Sequence, residues 1–348
     1  MKYDFTSDYN VIAHPMVLKA LSTVGIKQIE SYGMDEYSYK AAELIKQKIN
    51  KPSADVYFIA DGSLANLVSI SSALRPHEAV ISPETGRIYV YEAGTIEATG
   101  HKIYAVNDKN GKLSVDGIEN TVSTSSDMSI AKPRIVYISL STECGTVYSR
   151  AELSVISEYC RNNNLYLYLD GARIGAAINS PACDLSYSEI ANLVDIFYIG
   201  GTRNGALFGE AIVICADDLK IDFKHLLRQK GATLAKGASI GIQFEALFKT
   251  DLYDELAKHS VEMAKKIADG IKTIGYDFLF PIEANLIFPI LPTVVIEELR
   301  QLYSFINWQK INDKTAIRLV TSWVTTENIV EEFILDIKNI TSKLKNTK

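Results

Sequence analysis

Asp170 and Arg173 have the residue types and the spacing of a charged site. Asp170 ends the apolar run LYLYLD at 165–170, and Arg173 follows three residues later. A carboxylate at the end of a buried strand is costly to desolvate unless it meets a cation or a strong hydrogen-bond donor. Two interpretations follow. Asp170 and Arg173 form an internal ion pair, or Asp170 holds the charge on a bound ring and leaves Arg173 free for an anion.

Arg203 lies in a glycine-rich turn, within FYIGGTRNGALFGE at 197–210. Glycines allow positive φ and let the backbone approach a ligand closely. In open parallel sheets, ligands bind beyond the carboxyl ends of the strands. An arginine in this turn would therefore face the same cavity as Asp170.

Two further segments carry residues that suit anions. Gly62, Ser63 and Leu64 follow the run VYFIA and begin a helix, where free backbone N–H groups and a hydroxyl suit a phosphate. The alternative is a plain N-cap by Ser63. Arg318 lies inside the apolar run TAIRLVTSW, and an inward-facing arginine needs an anionic partner. That partner is either a substrate carboxylate, bound bidentately, or an acidic side chain of the chain itself.

Short apolar runs and the helical patterns between them must position these residues. Continuous apolar strands separated by helices indicate a parallel sheet that is covered on both faces. Helical patterns cover Leu64–Leu74 and Ala151–Asn163, and the Ser/Thr-rich stretch 120–132 predicts an exposed loop. The predicted strands are 55–60, 79–82, 101–106, 134–140, 165–170, 195–200 and 210–215.

The pattern of predicted secondary structure changes after residue 216. A long helical pattern runs from about 238 to 273, and short strands and helices then alternate up to an amphipathic C-terminal helix. We predict an α/β fold with two domains. The large α/β domain covers 1–237 and holds a mostly parallel sheet, and the small α+β domain covers 238–348.

Composition and charge argue against several classes of protein. The 348 residues carry a net charge of −6, without the basic surface that nucleic-acid binding needs. No apolar run approaches the ~18 residues of a membrane-spanning helix, and the N-terminus lacks the apolar segment of a signal peptide. The four cysteines show no metal-ligand spacing and fit free thiols in a reducing compartment. We expect a cytoplasmic protein with no metal site and no nucleic-acid or membrane partner.

Taken in order along the chain, these segments resemble one family. The sequence is similar to the threonine aldolase and β-eliminating lyase group of fold-type-I pyridoxal 5′-phosphate (PLP) enzymes. The resemblance covers nearly the whole chain, and the ordered set of motifs is more specific than any one of them. The motifs are FTSDYN, HPMVLKAL, YGMDEYS, ADGSLANL, YEAGTIEATGHK, STECGTVYS, YLDGARIGAA, FYIGGTRNGALFGEA, RQKGATLAKG and IRLVTSW.

The resemblance implies PLP as the cofactor and a small-molecule amino acid as the substrate. Asp170 then pairs with the pyridine nitrogen, so that the ring can accept electrons. The other implied roles are cofactor binding by Gly62, Ser63, Leu64, Arg173, Thr202 and position 203, a grip on the substrate carboxylate by Ser7, Arg173 and Arg318, and contacts with the ring edge or the substrate hydroxyl by Thr142 and Glu143. The family forms dimers or tetramers, in which a basic segment such as Arg228, Lys230 and Lys236 reaches towards the neighbouring site.

Two arginines depart from the family pattern. The family's Schiff-base lysine should stand at 203 and its ring-stacking histidine at 87, but the residues there are Arg203 and Arg87. Guanidinium stays charged near neutral pH and is a poor nucleophile, so Arg203 does not tether the cofactor. Arg87 can lie flat on an aromatic ring, but it cannot act as a general base. The candidate catalytic residues are therefore Arg203, Arg87, Glu143 and Thr142.

Three hypotheses remain open at this point. In the first, the chain is a PLP-dependent lyase that cleaves a β-hydroxy amino acid such as threonine to glycine and an aldehyde, with PLP held non-covalently. In the second, it is a non-catalytic or PLP-independent homologue that binds a phosphorylated or carboxylated small molecule. In the third, Arg203 is a deliberate substitution of a lysine, made to trap a complex. The resemblance also predicts a homodimer or homotetramer.

Overall fold

The computed structural model describes residues 1–107 and 109–346. None of the helices in these ranges combines the length and the apolar character needed to cross a membrane. The strands are β1 (Tyr3–Asp4), β2 (Asp55–Ile59), β3 (Glu78–Pro83), β4 (Lys102–Val106), β5 (Lys132–Ser139), β6 (Tyr166–Asp170), β7 (Ile196–Gly200), β8 (Glu210–Ile214), β9 (Leu286–Ile287), β10 (Ile290–Pro292), β11 (Tyr303–Ser304), β12 (Ile306–Ile311) and β13 (Lys314–Val320). The α-helices are α1 (Pro15–Thr23), α2 (Glu36–Lys48), α3 (Gly62–Ala73), α4 (Arg87–Val90), α5 (Val115–Thr124), α6 (Arg150–Asn162), α7 (Ile174–Ile178), α8 (Tyr187–Leu193), α9 (Phe223–Gln229), α10 (Ala238–Phe248), α11 (Leu252–Ile274), α12 (Thr293–Arg300) and α13 (Glu327–Asn346), and two 3₁₀ turns lie at Glu97–Thr99 and Asp217–Lys220.

Seven strands form the central sheet, in the order β2-β8-β7-β6-β5-β3-β4. The strands from β7 to β4 pair in parallel, while β8 runs antiparallel to both β7 and β2. The predicted strands and the mostly parallel sheet are confirmed, with strand ends within two residues of the prediction.

The side chains of the central strands alternate between two cores, one on each face of the sheet. In β6, Leu167 and Leu169 pack into one core and Tyr168 into the other. Phe197 and Tyr198 in β7 divide in the same way. Because successive strand residues point to opposite faces, a strand that is buried on both faces reads as one continuous apolar run.

Helices cover both cores, and their starts carry capping residues. Helices α6 and α10 contribute to one core, and α3 and α9 contribute to the other. Helix α6 begins with a capping box formed by Ser149 and Glu152. Helix α3 is capped by Asp61, whose carboxylate accepts a hydrogen bond from the Ser63 N–H. The predicted N-cap role of Ser63 is therefore wrong, because Asp61 fills it.

Two predictions of local structure are corrected by the helices. Helix α5 continues to Thr124, so only the rest of the predicted loop at 120–132 is irregular before β5 begins. Ile118 on α5 is fully buried, and this contact with the core anchors the helix.

The helical pattern at 238–273 divides into α10 and α11. The Thr250 hydroxyl accepts a hydrogen bond from the Leu252 N–H, and such side-chain bonds compete with the helix ladder.

The C-terminal elements form a smaller layer that includes the N-terminus. Strands β10, β13 and β12 make an antiparallel sheet with β9 beside β13, and β1 pairs in parallel with β11. Phe5 packs in one core with Leu319 and Phe333, and its carbonyl accepts a hydrogen bond from the Val320 N–H. The segment after β1 is therefore held against β13, close to Arg318.

The division of the chain at residue 237 stays a prediction. Helix α10 begins just after this point and packs against α2. Helix α11 contributes Leu252 and Tyr253 to the core of the central sheet and Ile267 to the C-terminal core. The two layers are thus joined through a continuous helix as well as through β1.

We predict that Gly171→Ala destabilises the protein strongly. A Cβ atom at Gly171 would lie 1.8 Å from the carbonyl oxygen of Tyr198, so the ends of β6 and β7 would have to separate. The free energy of unfolding in urea should fall by at least about 3 kcal/mol. Gly25→Ala is the control, because its positive φ is strained but no atom lies within 4 Å, and it should cost only about 1 kcal/mol. Equal losses for the two variants would contradict the prediction.

Candidate active site

A cavity of about 690 Å³ lies between the carboxyl ends of the central strands and the C-terminal sheet. Its volume falls within the usual range for small-molecule sites, about 300–1,000 Å³. Its lining brings together Ser7, Arg87, Glu143, Asp170, Arg173, Arg203 and Arg318, with Tyr9, Tyr91, Ser139, Ser141 and Trp308 among the remaining contributors.

Asp170 ends β6 and lies almost completely buried on the wall of this cavity. Its Oδ2 atom accepts hydrogen bonds from the Tyr137 hydroxyl at 2.9 Å and from Asn66 Nδ2 at 3.1 Å. Its Oδ1 atom accepts from the Tyr198 hydroxyl and from the Ala172 N–H. These four neutral donors offset the cost of burying the carboxylate. The predicted Asp170–Arg173 ion pair is not formed, because Arg173 binds a different carboxylate.

That carboxylate is Asp8, which accepts hydrogen bonds from two arginines. Arg173 binds it bidentately, with Nε 2.7 Å from Oδ2 and Nη2 3.0 Å from Oδ1. Arg203 Nη1 donates to Oδ1 at 3.1 Å, and Asn285 Nδ2 donates to Oδ2 at 3.0 Å. Burial raises the pKa of Asp8, but the charges of Arg173 and Arg203 lower it more, so this pKa lies well below its usual range.

Ser7 is among the residues predicted from the sequence, but Asp8 is not. The motif FTSDYN contains Asp8, but its two arginine partners lie 165 and 195 residues away in the chain. No local spacing indicates such a pair. The usable signal was the need of an inward-facing arginine for an anion, which the sequence analysis applied to Arg318 and not to Arg203.

Arg203 is held by its surroundings on the cavity wall. Beside the Asp8 contact, its guanidinium carbon lies 4.8 Å from the centroid of the Tyr9 ring. Burial lowers the pKa of Arg203, but the charge of Asp8 together with Tyr198, Glu210 and Tyr9 outweighs this effect, and the net pKa is raised. The side chain is therefore a fixed cation and offers no neutral amine.

Arg87 begins α4 and joins two glutamates. Its backbone N–H donates to Glu143 Oε1 at 3.0 Å, and its Nε donates to Glu92 Oε1 at 3.1 Å. Asn66 Nδ2 lies 2.9 Å from the same Glu92 oxygen and also donates to Asp170. Arg87, Glu92, Asn66 and Asp170 thus form one connected network, of which the sequence analysis had missed Glu92 and Asn66.

Glu143 is a buried carboxyl group at the cavity, with one oxygen that has no protein partner. Its Oε1 atom accepts from the Ser139 hydroxyl at 2.9 Å as well as from the Arg87 N–H, while Oε2 is buried without a hydrogen bond. Burial, followed by repulsion from Asp170, raises the pKa of Glu143 to about 7. A carboxyl group of this kind can exchange a proton near neutral pH.

Arg318, on β13, faces the cavity with an unused donor. Its Nη2 atom donates to the Thr6 carbonyl at 3.1 Å, and its Nε atom is buried without a partner. Within the described residues it forms no ion pair. A buried donor without a partner is costly, so the arrangement suits an anionic ligand better than the alternative of an internal salt bridge.

The other predicted residues lie outside the lining of the cavity. The Thr142 hydroxyl is fully buried and hydrogen-bonds to the Thr146 hydroxyl at 2.7 Å. The Thr202 hydroxyl accepts a hydrogen bond from the Gly209 N–H at 3.1 Å. Gly62, Ser63 and Leu64 form the first turn of α3 and lie nearby, since a Cβ atom on Gly62 would be 3.2 Å from the Tyr198 hydroxyl. Arg228, Lys230 and Lys236 are exposed and also lie away from this cavity.

Comparisons with known proteins identify the class to which the fold and the site belong. A mutant aspartate aminotransferase from Thermus thermophilus, 12% identical, superposes over 98% of this chain and 91% of its own with a TM-score of 0.72, which shows a shared fold. A threonine aldolase from Leishmania major, 41% identical, covers 97% of this chain and 99% of its own with a TM-score of 0.96. The structure therefore has the fold of the fold-type-I PLP-dependent enzymes.

The sequence comparisons identify the family. The β-eliminating lyase family model matches residues 4–291. A low-specificity L-threonine aldolase from Pseudomonas aeruginosa is 29% identical over 341 residues, which cover 96% of each chain. The chain belongs to the β-eliminating lyase family and is similar over nearly its whole length to threonine aldolases.

The residues at the cavity fit the cofactor of this family only in part. The buried Asp170 carboxylate suits a protonated ring nitrogen, and the arginines suit the anionic groups of a cofactor or substrate. No lysine is among the described residues that line the cavity. The site thus fits PLP without its covalent attachment.

We predict that Asp8→Asn destabilises the protein by about 3 kcal/mol at pH 7, because two buried guanidinium groups lose their shared anion. Because the folded-state pKa of Asp8 is lowered, its stabilisation is complete above the unfolded value of 3.8 and is lost as the pH falls below it. Urea unfolding at pH 7 measures the loss. The exposed Asp269 is the control, and Asp269→Asn should change stability by less than about 0.5 kcal/mol. A stable Asp8→Asn variant would show that the ion pairs contribute little.

Proposed function

We propose that this chain cleaves β-hydroxy amino acids such as threonine to glycine and an aldehyde, with PLP bound non-covalently. The observation that carries the proposal is Glu143, a buried carboxyl group with a pKa of about 7 and a free Oε2 atom. It lines the same cavity as Asp170 and Arg318. A proton acceptor, a ring-charge partner and a carboxylate receptor thus meet in one site.

The carboxylate of the substrate would bind at the C-terminal side of the cavity. The unused Nε atom of Arg318 is the main donor, and Arg173 and Ser7 line the cavity beside it. A bidentate guanidinium–carboxylate contact fixes both position and orientation. The substrate hydroxyl could then be directed towards Glu143.

Glu143 would take the proton of the substrate hydroxyl on its free Oε2 atom. Retro-aldol cleavage needs this proton to leave as the carbon–carbon bond breaks, and a base with a pKa near the working pH is the most effective. Ser139 and the Arg87 N–H hold the other oxygen, so the carboxyl group stays oriented. Thr142 adjoins Glu143, and its bond to Thr146 would support the loop that positions the base.

Asp170 and the first turn of α3 would hold the cofactor. When bound, PLP supplies an electron-accepting ring. Asp170 would keep the ring nitrogen protonated and Arg87 would lie against the ring. The N–H groups of Gly62 and Leu64 and the hydroxyl of Ser63 would meet the phosphate, with Thr202 nearby. Arg203 would add a cation without a covalent bond, so release of product would be slow.

The position of Arg203 favours a second candidate function, a non-catalytic protein that binds a phosphorylated or carboxylated small molecule. Arg203 is fixed by Asp8 and stacked on Tyr9, and neither contact helps a chemical step.

We further propose a cytoplasmic homodimer or homotetramer. Arg228, Lys230 and Lys236 are exposed and would reach the site of a neighbouring subunit, so a monomeric elution volume in sizing chromatography would argue against this assembly.

We predict that the purified protein with added PLP forms glycine and acetaldehyde from threonine faster than PLP alone. Arg203→Lys should raise this rate and give a coloured protein whose colour borohydride fixes at residue 203. Arg203→Gln is the matched control, since it removes the guanidinium without supplying an amine. If the native chain shows no excess over PLP alone while Arg203→Lys is active, the binding function is favoured. If both are inactive, the lyase proposal fails.

We predict that cleavage rises with pH around an apparent pKa near 7, because Glu143 must lose its proton to act as a base. Glu143→Gln should lower the rate by about 10²-fold or more and remove this pH dependence. The stability should change in the opposite sense, since Glu143 stabilises the fold when protonated, and this stabilisation declines as the pH rises from 4.5 to about 7. A rate profile that is unchanged in Glu143→Gln would remove Glu143 from the mechanism.

A further inference from the structure

Three arginines surround a single carboxylate at one end of the cavity. Arg173 and Arg203 both pair with Asp8, and Arg318 lines the cavity beside them with no ion pair among the described residues. We refer to these four residues as the Asp8 cluster. Three positive charges against one negative charge leave two positive charges without a counter-charge.

Asp8 has no capacity left for further donors. It accepts two hydrogen bonds from Arg173, one from Arg203 and one from Asn285, and its side chain is only 1% exposed. Asp8 is absent from the cavity lining, whereas the three guanidinium groups are part of it. At this end of the cavity the anion is thus not part of the lining, and a ligand there would meet the three arginines.

The surplus charge is not compensated from elsewhere in the cluster. Burial lowers the pKa of Arg173, and repulsion from Arg203 and Arg318 adds to this effect. Burial is also the main cause of the lowered pKa of Arg318. Burial also lowers the pKa of Arg203, but Asp8 and its other neighbours together raise it, so the lowered pKa values in the cluster are those of Arg173 and Arg318.

The carboxylates at the other end of the cavity are already engaged. Glu92 binds Arg87, and Asp170 accepts hydrogen bonds from four neutral donors. Burial and then repulsion from Arg203 lower the pKa of Arg87, but Asp170 and Glu92 are among the neighbours that raise it, and the net pKa is raised. The cavity is therefore polarised, with surplus positive charge at the Asp8 cluster and surplus negative charge near Arg87.

We propose that the Asp8 cluster binds a dianionic head group, either a dicarboxylate or a phosphoryl group, in preference to a single carboxylate. Planar guanidinium groups bind both kinds of head group bidentately. One negative charge would neutralise only half of the surplus, and the unused Nε of Arg318 and the free donors of Arg203 can serve a second acidic group. The inference rests on the proposed function for the location of the acidic end of the substrate. The substrate would then carry a second acidic group beside its α-carboxylate.

The test measures binding of three simple probes to the full chain by calorimetry, without PLP and at constant ionic strength. Acetate is the monoanion, malonate the dicarboxylate and inorganic phosphate the phosphoryl probe. We expect malonate, phosphate or both to bind at least about tenfold more tightly than acetate, because the second charge interacts with partly buried cations. Equal binding of acetate and both dianions would overturn the proposal.

Variants place the binding at the Asp8 cluster. Arg203→Gln should reduce the preference for the dianion about tenfold and leave acetate binding largely intact. If the Arg203→Gln variant does not fold, Arg318→Gln gives the second measurement, because that substitution removes no ion pair of Asp8. Arg134→Gln is the matched control, because Arg134 stacks on Tyr166 away from this cavity and should not affect any probe.

The outcomes separate the two proposals. A dianion preference that survives Arg203→Gln would mean that the anion sits elsewhere, for example at the start of α3, and would overturn the inference. If Arg203→Gln loses the preference for dianions and the native chain does not cleave threonine, the results would support binding at the Asp8 cluster and count against the lyase proposal. If the native chain cleaves threonine but shows no preference for dianions, the results would support the lyase proposal and count against binding of a dianion at the Asp8 cluster.

Discussion

The site depends on the Asp8 carboxylate, which holds two arginines from different parts of the chain. Arg173 follows β6, Arg203 follows β7, and Asp8 itself lies on the segment between β1 and α1. Because β1 pairs with β11 and Phe5 packs in the C-terminal core, the position of Asp8 is set by the small sheet. The ion pairs therefore tie the ends of two central strands to the other layer of the protein, and the cavity lies where the layers meet.

The central sheet makes a buried Asp170 tolerable. Tyr137 on β5 and Tyr198 on β7 come from the two strands that flank β6, Asn66 comes from α3, and all three donate to the Asp170 carboxylate. The phenol rings of Tyr137 and Tyr198 pack in the same core. These residues thus fill the core with their rings and satisfy the charge with their hydroxyl groups. An apolar replacement would keep the packing and leave the carboxylate short of donors.

Much of the fold could be read from the sequence, because burial on both sheet faces gives continuous apolar runs such as DVYFI and LYLYL. The convergence of Asp170, Arg203 and Arg318 could also be inferred, since strand ends and inward-facing arginines mark a cavity. The hydrogen-bond and ion-pair partners of these residues could not be inferred. Asp8 and Asn66 bind residues that are distant in the chain, whereas Glu92 joins Asn66 to Arg87, which lies five residues before it. The local sequence of all three is equally consistent with surface positions. The break between α10 and α11 was hidden for a different reason, since it falls within an otherwise helical pattern and the side-chain contact seen there is the bond from the Leu252 N–H to the Thr250 hydroxyl.

The same electrostatic surroundings have opposite effects on a lysine and on an arginine at position 203. Nearby cations and burial lower the pKa of an amine, so Arg87, Arg173 and Arg318 would help a lysine to become neutral and reactive. A guanidinium does not lose its proton under these conditions. It must instead find an anion, and Asp8 is the carboxylate within its reach. Burial raises the pKa of Glu210 to about 8, so this neighbouring carboxyl group carries little charge near neutral pH. An arginine at position 203 therefore supplies a permanent charge where a lysine would supply a switchable nucleophile, and it makes the cavity one that attracts anions.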